Sequence, residues 1–270
     1  MNWINDDIPI VNIVGVGKVS SSIARQLKGK VEFGYIVSRN IEKAKLLAKE
    51  IGGIALTYDD QFKLRGVVLL GLNDSTLSTV HLLLNEKVEN GEIVAIHFSG
   101  FTSSNILPKE WFPVSVHPNC AVSDEYHGFE NVIFGIEGSE EGLKIAATIV
   151  KLLGGEYVII PKERKPEYHL AAVIVSNFPI ALAYLSQSIY KNLGFSEELA
   201  RKIIATLLSS VSTNINLKKL PDALTGPVKR NDWIVVKNER EIFEKMFPEY
   251  KQLYDTIVEI LTKLISEEHL

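Results

Sequence analysis

Ile10-Val11-Asn12-Ile13-Val14-Gly15-Val16-Gly17-Lys18-Val19-Ser20 is the stretch on which the fold turns. A β-branched run passes straight into two glycines and then into Ser21–Leu27, whose apolar spacing is helical, giving the order strand, tight turn, helix. Gly15 permits the turn out of the strand, and Gly17 removes the side chain where a pyrophosphate must approach the backbone. The helix amino terminus behind them offers unpaired N–H groups and the positive end of a dipole. The candidate phosphate cradle is therefore Gly15, Val16, Gly17, Lys18 and Val19. Ser20 occupies the third position of the fingerprint, where glycine or alanine packs closest, so the match is imperfect. A glycine turn without a ligand is the competing reading; its place at the first βα junction favours the dinucleotide.

Outward from this turn, strand-like runs alternate with helical patterns as far as Ile160, the rhythm of a parallel sheet. Ile10–Val14, Val31–Val37, Val67–Leu72, Ile93–His97, Val114–Val116, Val132–Ile136 and Tyr157–Ile160 read as strands. Val19–Leu27, Ile41–Ile51, Thr76–Leu84 and Ser139–Leu153 read as helices. Beyond Ile160 strand signals fade and long helices follow over Tyr168–Leu193, Glu197–Asn214 and Glu249–Ser266. The expected fold is α/β, with a Rossmann-type parallel-sheet domain over 1–160 and an all-α domain over 161–270. The division falls in the charged stretch Pro161–Pro166, which suits a linker or the entry to a helix.

The second strand decides which dinucleotide is expected. Versions that bind NAD carry an acid about 20 residues beyond the glycines for the ribose hydroxyls. Here the strand ends in Ser38, Arg39 and Asn40. A guanidinium beside a hydroxyl suits a 2′-phosphate, gripped by paired hydrogen bonds, and points to NADP(H). A solvated surface arginine is the alternative.

Ligands of open α/β sheets collect beyond the carboxyl ends of the strands. Leu72, Asn73 and Asp74 follow the third strand, where helix capping competes with ligand contact. His97 and Ser99 follow the fourth, and His117, Pro118 and Asn119 the fifth. Imidazoles at two equivalent strand ends are candidates for proton exchange or substrate contact, with His97 also placed beside the cofactor. His81, His127 and His269 lack such placement. In the helical part, His169 and Asn177 lie roughly 80° apart around one helix and ~12 Å along it, so both can face one cleft. Arg230 and Asp232 follow a Gly226-Pro227 turn and can brace each other or meet an anion.

The composition sets limits. With 29 Lys and Arg against 33 Asp and Glu, interleaved along the chain, no basic patch for nucleic acid stands out. The single cysteine, Cys120, excludes an intrachain disulfide and a multi-cysteine zinc site, and reads as a small buried apolar residue. No metal site is expected. The residues from Met1 to Pro9 lack the basic start and apolar core of a signal peptide, and apolar runs elsewhere fall short of the ~20 residues that span a bilayer, so a cytoplasmic protein without a membrane partner is expected.

Several spaced segments together resemble a known family: the glycine turn with Ser38-Arg39-Asn40, His97-Phe98-Ser99-Gly100, Ser115-Val116-His117-Pro118, Tyr168–Ala172 with Ser176-Asn177, and Leu224–Pro227 with Arg230 and Asp232. This is a Rossmann-like family whose helical carboxyl-terminal domain has no known function. It is similar to the superfamily of pyrroline-5-carboxylate reductase, deazaflavin-dependent NADP reductases and β-hydroxyacid dehydrogenases. The resemblance implies an NADP-dependent oxidoreductase that dimerises through its helical domain and supplies no substrate; hydride transfer to or from a small carbonyl or imine is the leading expectation. Two departures stand out. The β-hydroxyacid dehydrogenases pair a helix lysine with an asparagine one turn later, whereas Val173 precedes Asn177 here, and Asn231 replaces a glycine usual in the Thr-Gly-Pro segment. On this footing His169, His117 and Ser99 are the expected acid/base or substrate contacts, with Asn177 and Arg230 as positioners. An NADP(H)-binding sensor or interaction module without catalysis is the alternative.

Overall fold

A computed structural model describes residues 8–123 and 128–267. His127, His269 and residues 1–7, on which the reading of the amino terminus rests, lie outside the described residues. The chain divides into two compact units, Met1–Pro179 and Ile180–Leu270. The first unit runs past Ile160, where the sequence places its boundary, and takes in the helix that follows the linker.

The first unit is built on β1 (Val11–Val14), α1 (Lys18–Leu27), β2 (Phe33–Val37), α2 (Ile41–Ile51), β3 (Ile54–Leu56), β4 (Leu64–Leu70), α3 (Asp74–Leu77), α4 (Val80–Leu84), β5 (Val88–His97), β6 (Val114–Pro118), β7 (Ile133–Gly138), α5 (Glu140–Leu152), β8 (Glu156–Ile159) and α6 (Lys165–Ser176). One eight-stranded sheet runs in the order β3-β2-β1-β4-β5-β6-β7-β8. All pairings are parallel except β6 with β7. The order reverses direction between β1 and β4, the switch point where such sheets open a ligand crevice.

Both faces of the central strands are covered, which is why they read as near-continuous apolar runs. Val11, Ile13, Val67, Leu69, Ile96 and Phe134 belong to one buried cluster, and Val14, Val68, Leu70, Ala95 and Trp111 to another. Polar Asn12 survives inside β1 because its Nδ2 donates to Arg65 O at 2.7 Å while its Oδ1 accepts from Tyr35 N at 2.9 Å. Cys120 is half-buried and packs against the first cluster.

Three readings of the sequence are corrected. The edge strand β3 is only three residues long, too short for a periodicity signal. The helix expected over Thr76–Leu84 is two pieces, α3 and α4, because Asn73 caps the first and the chain turns again at Ser78 and Thr79. The long helix expected over Tyr168–Leu193 is also two, broken at Asn177. Its parent stretch, Lys162–Asn192, spans 31 residues and contains an 18-residue window of mean hydropathy 1.5, long and apolar enough by length and composition to cross a membrane.

The second unit, with α7 (Phe178–Asn192) entering it, holds α8 (Glu197–Leu217), α9 (Leu220–Ala223), α10 (Trp233–Met246) and α11 (Lys251–Glu267). α10 was not expected from the sequence. Asp232 starts it by accepting from Val235 N at 3.3 Å. Asn231, in the place of a glycine, has a φ of 56°, the left-handed conformation that asparagine tolerates better than most residues.

Candidate functional site

At the end of β1, Gly15 has a φ of 88°, and a Cβ there would lie 2.6 Å from Gly71 O, so neither the conformation nor the space admits a side chain. Ser20 explains the imperfect fingerprint. Its buried hydroxyl lies 2.9 Å from Gly15 O and 3.1 Å from Gly17 O, within donating reach of both, and accepts from Gly17 N at 3.1 Å. The serine thus ties the turn from within, and Gly71 on β4's exit leaves room for it. Bare backbone then faces outward at the start of α1. An open cleft of about 500 Å³ is lined there by Gly17, Lys18, Ser21, Ser22, Arg25 and Lys43.

At the end of β2, Ser38 is buried and its Oγ accepts from Asn40 N at 3.1 Å. Asn40 caps α2 through Lys43 N at 3.1 Å. Both residues shape the turn, and exposed Arg39 is the one left to reach outward. It shares a cleft of about 350 Å³ with Thr57, Tyr58, Asp59, Thr76 and Leu83. Burial pushes the Tyr58 phenol up from its ordinary value, and the Arg39 guanidinium opposes that shift. Thr57 and Tyr58 follow β3, so missing that strand in the sequence meant missing them.

Past β4, Asn73 accepts from Thr76 N at 2.9 Å and from Ser75 Oγ at 3.0 Å. It is the cap of α3, and exposed Asp74 lies close enough to favour the charged form of Lys165. Half-buried Leu72 borders Gly15.

His97 sits at the end of β5 with no exposed surface, so it supports the site from beneath and presents nothing to a cofactor, contrary to expectation. Its Nδ1 accepts from Ser99 N at 3.3 Å, while Nε2 is buried without a partner. Burial, with the Lys165 charge adding, pushes its pKa down to about 3. Ser99 Oγ accepts from Phe101 N at 3.2 Å and from Thr102 N at 2.8 Å, stitching the loop after β5.

His117, His169 and Tyr168 come together over Gly100. The two imidazoles cross edge to face with centroids 5.8 Å apart, and Tyr168 meets His117 at 5.7 Å in the same manner. A Cβ on Gly100 would meet the His169 Nδ1 and stand 2.7 Å from His117 Nε2, so only glycine allows both rings to lie on this backbone. Asn177 is exposed at the end of α6, beside Ser176, whose Oγ donates to Ala172 O at 2.7 Å. Arg230 is exposed in the second unit.

Sequence reasoning passed over a buried ionic network. Lys165, the first residue of α6, has no exposed surface, and its Nζ bonds Ser115 Oγ and lies 3.0 Å from Glu137 Oε1. Glu137 also accepts from Ser104 N at 2.8 Å and Ser104 Oγ at 2.7 Å. Burial lowers the Lys165 pKa, with Glu137 opposing. Among the described residues, no cluster of three or more His, Cys, Asp or Glu side chains is arranged to hold a metal ion.

The family model for a domain of unknown function (DUF2520) matches residues 132–260. No curated protein matches the chain. Among solved structures, the protein TM1727 of Thermotoga maritima is 38% identical, with a TM-score of 0.78 over 96% of this chain and 100% of that one. BF3122 of Bacteroides fragilis, which carries a provisional NADP oxidoreductase designation, is 22% identical with a TM-score of 0.77 over 96% and 99%. A pyrroline-5-carboxylate reductase of Coxiella burnetii is 14% identical with a TM-score of 0.58 over 97% and 98%, and like BF3122 it shares the fold. With the Thermotoga protein matched along its entire length and DUF2520 matched across the second half, the chain belongs to the Rossmann-like family that carries this domain of unknown function.

Proposed function

We propose that the chain is an oxidoreductase that binds a nicotinamide dinucleotide, NADP(H) in preference to NAD(H), and transfers hydride to or from a small carbonyl or imine. The observation that carries this reading is the Gly15–Gly17 turn at the β1/α1 junction, beside the switch point, with Arg39 in the adjoining cleft. The residues fit the group. Backbone at the start of α1 can receive the pyrophosphate through Gly15, Val16, Gly17, Lys18 and Val19, and Arg39, on the turn that Ser38 and Asn40 shape, can reach a 2′-phosphate. Leu72 borders Gly15, and Asn73 and Asp74, next along the chain, are the proposed further cofactor contacts. The provisional name of the Bacteroides relative agrees with this assignment.

When bound, the nicotinamide supplies or receives the hydride. The chain's own residues bind and orient: His117 and His169 supply paired imidazoles, Ser99 shapes the loop beside them, and Asn177 and Arg230 are positioners for the substrate. A reducing cytoplasm suits such an enzyme with one cysteine. A second copy of the chain is the proposed partner. Leu207, Val211 and Ile215 of α8 are each at least half exposed, as are Ile180 and Tyr184 of α7, apolar side chains that a second copy could cover.

The test is direct. NADPH and NADH are titrated onto the full chain by calorimetry, and NADPH oxidation is followed with a panel of carbonyls and cyclic imines. Tighter NADPH binding and turnover lost in His169→Ala support the reading. Tight binding with no turnover across the panel leaves the sensor reading, and no binding of either dinucleotide overturns both.

A further inference from the structure

The protons around His117 can be placed from the backbone outward. Asn119 Nδ2 donates to Ile133 O at 2.9 Å, which turns its Oδ1 toward Tyr168. The Tyr168 hydroxyl donates its one proton to that Oδ1 at 2.8 Å. At His117 Nδ1, 3.2 Å away, the same oxygen can then only accept, so Nδ1 carries the ring proton. Burial keeps this ring neutral, with His169 and then Lys165 adding to the effect and taking its pKa down to about 4. Nε2, the nitrogen turned toward Gly100 and His169, is consequently a bare lone pair.

Among the described residues, the charges facing this nitrogen are few. His169 and Tyr168 come from α6, Lys165 from the same helix is matched by Glu137 of β7, and His97 of β5 is neutral at physiological pH. Asp74 at the start of α3 brings a negative charge near Lys165. A neutral carbonyl oxygen gains nothing from an acceptor, and its reduction consumes a proton that a ring held neutral does not carry.

We propose, resting on the hydride-transfer reading above, that the site takes a protonated imine or the corresponding amine, its N–H donated to the Nε2 lone pair of His117, and that Asn119 and Tyr168 are positioning residues that keep this nitrogen bare. The balance closes without a protein acid. Hydride adds to the C=N carbon, the π pair becomes the lone pair of the amine nitrogen, and the N–H proton stays where it was. In reverse, an amine bound through its N–H loses hydride and leaves as the iminium.

The test reads the imidazole itself. The full chain labelled with ¹⁵N-histidine is examined by NMR at pH 7 for the His117 tautomer, alone and with piperidine or tetrahydropyran, rings of one shape with and without an N–H. A protonated Nδ1, an Nε2 resonance moved by piperidine and unmoved by tetrahydropyran, and an affinity about 10-fold weaker in Tyr168→Phe are expected, the loss of one oriented hydrogen bond. Asn119→Ala, altering an exposed side chain, serves as the second variant and is expected to mix the tautomers. A protonated Nε2 in the wild-type chain, or a response to both rings or to neither, overturns the proposal. Dinucleotide titrations on the same sample report separately on the hydride-transfer reading, so the two can fail independently.

Discussion

Lys165 Nζ lies 3.0 Å from Glu137 Oε1, and the two side chains are 0% and 2% exposed. This pair ties the first turn of α6 to β7, and Ser115 and Ser104 complete it from β6 and from the loop after β5. The helix that carries Tyr168 and His169 is thereby anchored to β7 and to β6, the strand that carries His117. A buried ion pair contributes little net stability, but breaking it strands a charge.

Lys165→Met is therefore expected to cost about 3–5 kcal/mol, because Glu137 keeps only Ser104 as partner. Adding Glu137→Leu removes the stranded carboxylate and is expected to recover most of that loss. Urea unfolding of the two single variants and the double variant measures it. A double variant less stable than Lys165→Met would contradict the account.

The neutral His97 makes stability depend on pH. Its pKa falls from 6.5 to about 3 on folding, so between these values the unfolded chain binds a proton that the folded chain refuses. The contribution is fully present above pH 6.5 and is lost as pH falls toward 3, with a slope approaching about 1.4 kcal/mol per unit. His117, lowered to about 4, adds with the same sign. Chemical unfolding at intervals from pH 7.5 to 4.5 should give a slope that shrinks by about that amount in His97→Gln.

The helix α2 could be read to the residue, Ile41–Ile51, because an apolar stripe runs through it and a glycine stop, Gly52, follows it. So could the glycine turn and the imidazoles at strand ends, since strand–turn–helix order is local in sequence. What escaped is what depends on distant partners. Lys165 sits among Lys162, Glu163, Arg164 and Glu167, and nothing local distinguishes the one buried charge from its exposed neighbours. Glu137 ends an apolar strand and reads as a surface residue until β6 and Ser104 enclose it. His97 and His117 look equivalent as strand ends, yet one is sealed and the other half-open, a difference set by the loops packed over them.

Ser20→Ala is expected to destabilise the chain by about 1–2 kcal/mol, since Gly17 N–H loses its acceptor and the carbonyls of Gly15 and Gly17 lose the one hydroxyl proton within reach of both in a part-buried turn. Dinucleotide binding should weaken with it, because the freed turn must be ordered by the ligand. Thermal unfolding with and without NADPH separates these effects: the ligand-induced rise in Tm should be smaller in the variant. An unchanged rise would mean that the hydroxyl serves packing alone.

Arg39→Ala isolates the basis of dinucleotide preference. The side chain is exposed and no ion pair holds it among the described residues, so its removal should leave stability within about 0.5 kcal/mol. A guanidinium on a 2′-phosphate contributes charge-assisted, paired hydrogen bonds that NADH cannot make. Their loss is expected to cost about 1.5–3 kcal/mol, roughly 10- to 150-fold in the NADPH dissociation constant. NADH affinity should move by less than about 3-fold, because its ribose offers hydroxyls in place of the phosphate. Equal weakening of both dinucleotides would mean that Arg39 shapes the cleft shared with Tyr58 and Thr57, and the preference would then have to arise elsewhere along the β2–α2 turn.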